Sequence, residues 1–197
     1  MNSKVCALVL AAGEGIRYQQ LAGAGQSKLL APCMGRDGVE RPVLEHVLAG
    51  LQGLVDKCLL ITRPELTEVI ALGARFGCQQ VLLDSAGMGD SIAIAVAAAP
   101  TATGWLVVLG DMPFILTSTV SQIIDALEDD AISVPVYGVQ FGHPVAFGRS
   151  FGRRLVGLGG EKGARRLFKT GRVREVEVDD PGVLWDVDVP SALVFAP

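Results

Sequence analysis

The sequence predicts a single-domain α/β protein, a Rossmann-like three-layer sandwich with a mainly parallel sheet. Two observations indicate this fold class. Short apolar runs alternate with segments of helical periodicity along the 197 residues, which is the order of a doubly wound sheet. Several runs are apolar at consecutive positions, as expected for strands that helices cover on both faces.

Six strands and six helices are predicted in this alternating region. The strands cover residues 5–10, 57–62, 80–83, 105–109, 131–136 and 173–178, and the helices cover 42–51, 64–76, 91–99, 117–127, 150–156 and 163–169. Pro42 and Pro64 stand near the starts of two helices, where a missing backbone N–H costs little.

Two stretches interrupt the alternation. Residues 134–147 are predicted to form a pair of strands around Tyr137-Gly138, which places an antiparallel element late in the chain. Residues 18–40 are predicted as a long loop that contains four glycines. Loops of this length in compact domains are usually functional or mobile. One further short strand is expected over residues 183–187.

The composition excludes several classes of protein. Half of the residues are apolar, 19% are charged and the mean hydropathy is +0.42, which excludes a disordered chain. The net charge of −4 argues against a nucleic-acid partner, and no apolar run reaches the length of a membrane span. The four cysteines form no CxxC pair, so we expect reduced thiols and a cytoplasmic location.

A glycine-rich turn follows the first strand. Gly13 and Gly15 leave room for a ligand to approach the backbone, and successive N–H groups in such a turn can cradle phosphate. The dinucleotide pattern GxGxxG fails at Tyr18, and no P-loop sequence is present. By itself the segment is also compatible with a purely structural tight turn.

Two cations stand in and after this turn. Arg17 and Lys28 would suit a polyanion such as a triphosphate, since arginine binds phosphate as a fork and lysine as a point charge. The alternative is that both are solvated surface residues.

Carboxylates occur at two further places. Asp111 follows the apolar strand 105–109, and a carboxylate at that position can hold Mg²⁺ together with phosphate oxygens. Asp186 and Asp188 alternate with apolar residues before Pro190, which predicts that they share one side of a short strand. Turn or helix-capping roles are the structural alternatives for all three.

Together these motifs resemble the nucleotidyltransferases of molybdenum-cofactor maturation, over the whole chain and in the family's order. They are LAAG at 10–13 with Arg17 and Lys28, LGDMP at 109–113, GHP at 142–144, GEKGAR at 160–165 and DVDVP at 186–190. The LAAG turn and the GHP segment look most like the CTP:molybdopterin cytidylyltransferase branch, whereas the guanylyltransferase branch more often has LAGG. The resemblance implies the fold of the nucleotide-diphospho-sugar transferases.

The resemblance also implies roles for individual residues. The nucleotide would contact three charged residues, Arg17, Lys28 and Asp111. It would also contact the first turn, through Leu10, Ala11, Ala12, Gly13 and Gly15, and the loop 86–91, through Gly87 and Ser91. Arg17, Lys28 and Asp111 would serve catalysis. Asp111 and Asp188, with Asp186 as the alternative to Asp188, would hold Mg²⁺. His143, Gly163 and Arg165 would lie towards the acceptor, although a histidine before proline is also a common turn residue.

One departure from the family's pattern concerns spacing. Arg and Lys are normally about five positions apart in the family, and here Arg17 and Lys28 are eleven apart, with a second enlargement at residues 34–41. The loop either folds so that both cations meet the phosphates or indicates an altered substrate or lost activity.

The expected activity is transfer of CMP from CTP to molybdopterin with release of pyrophosphate, and a molybdenum hydroxylase would receive the product. The alternatives are a related nucleotidyltransferase that uses GTP or another phosphorylated acceptor, and a non-catalytic protein that binds the molybdenum cofactor.

Overall fold

A computed structural model describes residues 5–84 and 87–197. Its main sheet has eight strands, with seven in the order β10-β7-β9-β6-β1-β4-β5 and β8 paired to β7. The first half contains β1 (Val5–Leu10), α1 (Ile16–Ala22), β2 (Pro32–Met34), β3 (Glu40–Pro42), α2 (Val43–Leu51), β4 (Lys57–Thr62), α3 (Thr67–Arg75), β5 (Gln79–Leu82) and α4 (Met88–Ala97). The second half contains β6 (Gly104–Leu109), α5 (Thr117–Asp125), β7 (Ala131–Tyr137), β8 (Gln140–Phe141), β9 (Val145–Gly148), α6 (Gly152–Val156) and β10 (Arg172–Glu177).

The mixed sheet confirms the predicted fold class. The strands β5, β4, β1 and β6 run parallel, as do β7 and β10. The antiparallel neighbours of β7 are β8 and β9, at the place where the sequence predicts a pair of strands. Strands β1 and β4 have the predicted bounds, and the other predicted strands differ by one residue at one or both ends.

Helices cover both faces of the sheet. Cys6 and Leu8 of β1 face a core formed with α4 and α6, whereas Val5, Ala7 and Val9 face a core formed with α2, α3 and α5. The period of two along an extended strand produces this division. No helix among the described residues is long and apolar enough to cross a membrane.

The prediction of one long loop over residues 18–40 is wrong. The segment contains most of α1, all of β2 and the first residue of β3, which pairs with β2 in antiparallel orientation. None of these elements has a core of its own. Tyr18 and Cys33 pack with Phe114 and Val187 in a third apolar cluster, so the segment acquires its structure by packing on the C-terminal region.

Other local predictions are also corrected. Residues 183–187 form no strand, because a 3₁₀ turn spans Pro181–Leu184 before the chain becomes extended. The predicted helix over residues 163–169 is a 3₁₀ turn at Arg165–Lys169, and α6 follows a 3₁₀ turn at Arg149–Phe151. The helix predicted from residue 64 begins at Thr67. Gly163 has a φ of +54°, outside the right-handed helical region, so the predicted helix cannot begin there.

Candidate functional site

A cleft lies where β1, β4 and β6 end. Leu10 is in register with Ile61 of β4 and with Leu109 of β6, so the loops after these parallel strands meet at one sheet edge. The resulting cavity has a volume of about 660 Å³. Its walls are formed by Leu10, Ala11, Ala12, Gly13, Glu14, Gly15, Ile16, Arg17, Tyr18, Lys28, Leu29, Arg63, Gly87, Met88, Ser91, Leu109, Asp111, Glu161 and Asp188.

The glycine-rich turn is held by its carbonyl groups. Thr62 Oγ1 donates to Ala11 O at 3.3 Å, and Arg63 Nε donates to Ala12 O at 2.8 Å. Within the described parts of the chain, the backbone N–H groups of residues 12–15 donate no hydrogen bond. The turn therefore offers free donors to the cavity, as an anion-binding loop must.

Lys28 is the centre of the charged cluster. Its Nζ donates to Asp111 Oδ2 at 2.6 Å and to Asp188 Oδ1 at 2.8 Å, and only 12% of its side chain is exposed. Burial acts to lower the pKa of Lys28, but the charges and hydrogen bonds of the two carboxylates outweigh it, so this pKa is raised. Lys28 is therefore a protonated ammonium between two carboxylates.

Arg17 reaches the same cluster from α1. Its Nη1 donates to Asp188 Oδ2 at 3.2 Å, and 80% of its side chain is exposed. The hydrogen bond from Lys28 lowers the pKa of Asp188 despite partial burial, and Arg17 adds to this effect. Asp188 is thus an ionised carboxylate with a cation on each of its oxygens.

The unusual spacing of the two cations is accommodated by local structure. Helix α1 (Ile16–Ala22) accounts for most of the extra residues between the two cations. After it, Gly23 and Gly25 reverse the direction of the chain with positive φ angles of 113° and 80°. The backbone N–H groups of Val43 and Leu44 donate to Ala31 O and Leu29 O, which fixes the segment after Lys28 against the start of α2. Both cations are therefore brought to one carboxylate.

A backbone hydrogen bond joins the two acidic motifs. Val187 N donates to Asp111 O at 2.9 Å, and the Val187 side chain is fully buried in the third apolar cluster. Asp188 consequently faces the cavity, whereas Asp186 does not line it. Burial raises the pKa of Asp186, and the negative charges of Asp188 and Asp111 add to this rise.

The carboxylates suit a divalent cation. One oxygen each from Asp111 and Asp188 already lies within hydrogen-bond distance of a single positive group, the Lys28 ammonium. In the described part of the chain no three His, Cys, Asp or Glu side chains form a metal-binding group. A Mg²⁺ ion is typically bound by one or two carboxylates, and substrate phosphate oxygens and water complete its coordination shell. Two carboxylates alone therefore fit a Mg²⁺ site better than a structural metal site.

The three residues expected on the acceptor side lie outside the cavity wall. Gly163, at a φ of +54°, packs against Met88, and Arg165 is exposed. Of the GEKGAR segment only Glu161 lines the cavity, and the segment is tied to α4 by a hydrogen bond from Gly89 N to Gly160 O. Ala86 lies outside the described residues, while Gly87 and Ser91 line the cavity.

His143 is a half-buried residue near Asp111, outside the cavity wall. Its Nδ1 is buried without a hydrogen-bond partner among the described residues, and its backbone N–H donates to Val183 O at 2.9 Å. Burial lowers the pKa of His143 to about 4, although the charge of Asp111 acts in the opposite direction. The imidazole is neutral near pH 7.

The lowered pKa of His143 predicts that acid destabilises the folded protein. An unfolded chain binds a proton at this imidazole below about pH 6.5, while the folded chain binds it only below about pH 4, so stability falls as the pH drops through this interval. The wild type should lose unfolding free energy between pH 7.5 and pH 4.5, and His143 should account for up to about 3 kcal/mol of this loss. We therefore expect the loss to be smaller by this amount in His143→Gln. Urea unfolding of the wild type and of His143→Gln at both pH values measures this. An unchanged difference in His143→Gln would contradict the assignment.

Arg63 is a site residue that the sequence analysis missed. Besides Ala12, its guanidinium contacts Glu14 Oε1 at 3.0 Å, and it forms part of the cavity wall. Its position directly after β4, beside the strand that carries the glycine-rich turn, was the available signal. With Arg63, the wall carries three basic and four acidic side chains, a mixture that fits a metal-bound polyphosphate better than a bare anion.

Taken together, the fold and the cleft define an α/β domain with a charged cavity and a glycine-rich turn at the carboxyl edge of its parallel strands, which is where such folds bind ligands. Residues 7–177 match the MobA-like NTP transferase domain, and the chain belongs to this family of nucleotidyltransferases. The purine catabolism protein PucB of Bacillus subtilis is 27% identical, over 92% of this chain and 90% of its own length.

Solved structures agree with this membership. The crystal structure of Rv0371c from Mycobacterium tuberculosis superposes with a TM-score of 0.81 at 32% identity, covering 98% of this chain and 96% of that one. A second crystal structure of Rv0371c, in complex with manganese, has a TM-score of 0.77 at 31% identity and covers 96% and 95%.

Proposed function

We propose that the protein transfers CMP from CTP to the terminal phosphate of molybdopterin and releases pyrophosphate. The observation that carries the proposal is the cluster of Arg17, Lys28, Asp111 and Asp188, which lines the same cavity as the glycine-rich turn. This arrangement joins cations for a triphosphate to carboxylates for a metal. The family of nucleotidyltransferases supplies the reaction class.

The chemistry requires positioning and charge neutralisation. A phosphate oxygen of the acceptor attacks the α-phosphate of CTP in line, the bond to the bridging oxygen breaks, and pyrophosphate leaves. Lys28 and Arg17 stabilise the negative charge on the phosphates, and the N–H groups of residues 12–15 orient them. The nucleophile is already an anion, so no general base is needed, and neither histidine is part of the described cavity wall.

Asp111 and Asp188 are the residues that would hold Mg²⁺. The ion, when bound, would supply positive charge that offsets the negative charge of the triphosphate. Support comes from the convergence of both carboxylates on one cation and from the manganese complex of Rv0371c, a related chain of nearly the same length. Asp186 remains the alternative to Asp188 only if the C-terminal segment moves when the ligand binds.

The preference for CTP rests on the first turn. Ala12 is 8% exposed and lines the cavity at the position where the guanylyl branch more often has glycine. A methyl group there takes space that a purine would use. Thr62 and Arg63 fix the carbonyls on both sides of this position, which prevents the turn from moving aside.

The proposal predicts a strict order of ligands. With Mg²⁺ present, CTP should raise the melting temperature more than GTP, ATP or NADPH at the same concentration, because a tighter ligand stabilises the folded state more. A ligand at about 100 Kd adds about 2.7 kcal/mol to the free energy of unfolding. Protein with CTP, Mg²⁺ and molybdopterin should release pyrophosphate in a coupled assay. The matched variant Ala12→Gly should bind GTP more tightly than the wild type, while Ala126→Gly, away from the cavity, should leave the preference for CTP unchanged.

The other outcomes identify the alternatives. Tighter binding of GTP by the wild type would place the protein in the guanylyl branch. Binding of CTP without release of pyrophosphate would indicate a cofactor-binding protein. Release with another phosphorylated acceptor but not with molybdopterin would make it a related nucleotidyltransferase. If the proposal holds, the product is delivered to a molybdenum hydroxylase in the cytoplasm.

A further inference from the structure

Two cysteines meet at the sheet edge opposite the nucleotide cleft. Cys58 lies near the start of β4 and Cys78 immediately before β5, and their Sγ atoms are 3.1 Å apart, in hydrogen-bond contact. Neither residue belongs to the cleft described above. Within the described chain, Cys6 and Cys33 are buried and have no second thiol in hydrogen-bond contact.

The backbone places these two thiols at a distance suited to a covalent bond. Leu59 and Gln79 are paired in the parallel ladder of β4 and β5, so Cys58 and Cys78 precede a paired position on adjacent strands. Adjacent strands are about 4.7–4.9 Å apart, within the Cα separation of about 4.4–6.8 Å that disulfides require. The sulfur atoms need to approach by about 1 Å to reach the S–S bond length of about 2.05 Å.

Cys78 is held in this position by its surroundings. Its backbone N–H donates to Gly73 O at 3.0 Å, and its carbonyl accepts from Gln80 Nε2 at 2.9 Å. Gly77 adopts a φ of +71°, which makes the tight return from α3 to β5. The thiol pair is therefore a fixed feature of the connection between α3 and β5.

Small solutes can approach both thiols. A cavity of about 400 Å³ is lined by both cysteines, with Phe76 and Leu51 from the neighbouring helices and Lys57 at the strand start. Cys58 is half-buried and Cys78 is 7% exposed.

The two thiols differ in acidity. The hydrogen bond with Cys58 lowers the pKa of Cys78 against the effect of burial, and the same contact raises the pKa of Cys58. Burial raises the pKa of Cys6 and of Cys33 to about 11. Cys78 is consequently the thiol that most readily becomes the nucleophilic thiolate.

We infer that Cys58 and Cys78 form a peroxide-sensitive thiol pair that closes to an intramolecular disulfide. The Cys78 thiolate attacks one oxygen of hydrogen peroxide, the O–O bond breaks, and the leaving hydroxide takes up a proton to become water. The Cys58 sulfur then attacks the Cys78 sulfenic acid, and its proton leaves with the hydroxide as a second water. Two thiols and one peroxide thus become one disulfide and two waters.

Mass spectrometry of the full chain tests this inference. The protein is treated with a small excess of hydrogen peroxide, alkylated, and digested with trypsin without reduction. Cleavage after Lys57 and Arg75 puts the two cysteines in separate peptides. We expect one linked species that joins Cys58 to Cys78 and disappears on reduction, with Cys6 and Cys33 recovered as alkylated thiols.

Single variants supply the controls. Cys6→Ser and Cys33→Ser should form the linked species as the wild type does. Cys58→Ser cannot, and its Cys78 should be captured as a sulfenic acid by dimedone. Absence of the Cys58–Cys78 species in the folded wild type, or equal linkage among all four cysteines, would overturn the inference. The readout is independent of nucleotide transfer, so it stands or fails separately from the proposed function.

Discussion

Replacing Asp111 with asparagine is expected to abolish the contribution of Mg²⁺ to nucleotide binding. Asparagine keeps the shape and can still accept from Lys28, so the fold should be preserved, but the charge that holds a divalent cation is lost. Charged hydrogen bonds contribute about 1.5–3 kcal/mol, so the affinity for CTP with Mg²⁺ should fall about 10- to 100-fold. Turnover should fall by at least as much.

Calorimetric titration of CTP with and without Mg²⁺ measures this effect directly. The wild type should bind more tightly with the metal, and Asp111→Asn should bind equally in both conditions. Asp125→Asn, which removes an exposed carboxylate on α5, is the matched control and should behave as wild type. A full Mg²⁺ effect in Asp111→Asn would exclude Asp111 as a metal ligand.

Removing the Lys28 ammonium should reduce turnover more than removing the Arg17 guanidinium. Lys28 is 12% exposed and contacts two carboxylates, whereas Arg17 is 80% exposed and its interactions are screened by water. We expect kcat/KM to fall about 100-fold in Lys28→Ala and about tenfold in Arg17→Ala. If Arg17 and Lys28 were only solvated surface cations, neither substitution would change kcat/KM.

Two further variants make this comparison specific. Lys28→Met keeps the aliphatic stem, which lies beside Gly15, so it separates the loss of charge from the loss of packing. Lys169→Ala removes an exposed lysine elsewhere and should leave kcat/KM unchanged. Wild-type turnover in Lys28→Met, with the fold intact by circular dichroism, would show that another cation serves the triphosphate. Arg63 would then be the first candidate.

The sequence determined the sheet and the place of the site. The strand bounds 5–10 and 57–62 agree with the structure because apolar β-branched runs buried on both faces leave little choice of secondary structure. The turn after β1 and Asp111 after β6 could be placed at one edge, since the ends of parallel strands meet there. These are local patterns combined with one topological rule.

The tertiary structure decided what local patterns could not. Residues 16–42 contain a helix and a strand pair only because Tyr18 and Cys33 pack against Phe114 and Val187, which are distant in sequence. Arg36 of that segment pairs with the buried Asp180 and lies 5.0 Å from the Phe195 ring centroid. No periodicity in residues 16–42 indicates these partners. Such weak local preferences are overridden by packing.

The choice between the two acids near the C-terminus has the same physical origin. The sequence favours Asp188 as the metal ligand but leaves Asp186 as the alternative, because both acids flank Val187 and are predicted on one side of the chain. Burial of Val187 and its hydrogen bond to Asp111 set the rotation of the segment, so Asp188 contacts Lys28, whereas Asp186 does not line the cavity. The residue types of the site follow from the chain, whereas their convergence depends on contacts between segments up to 171 positions apart, as between Arg17 and Asp188.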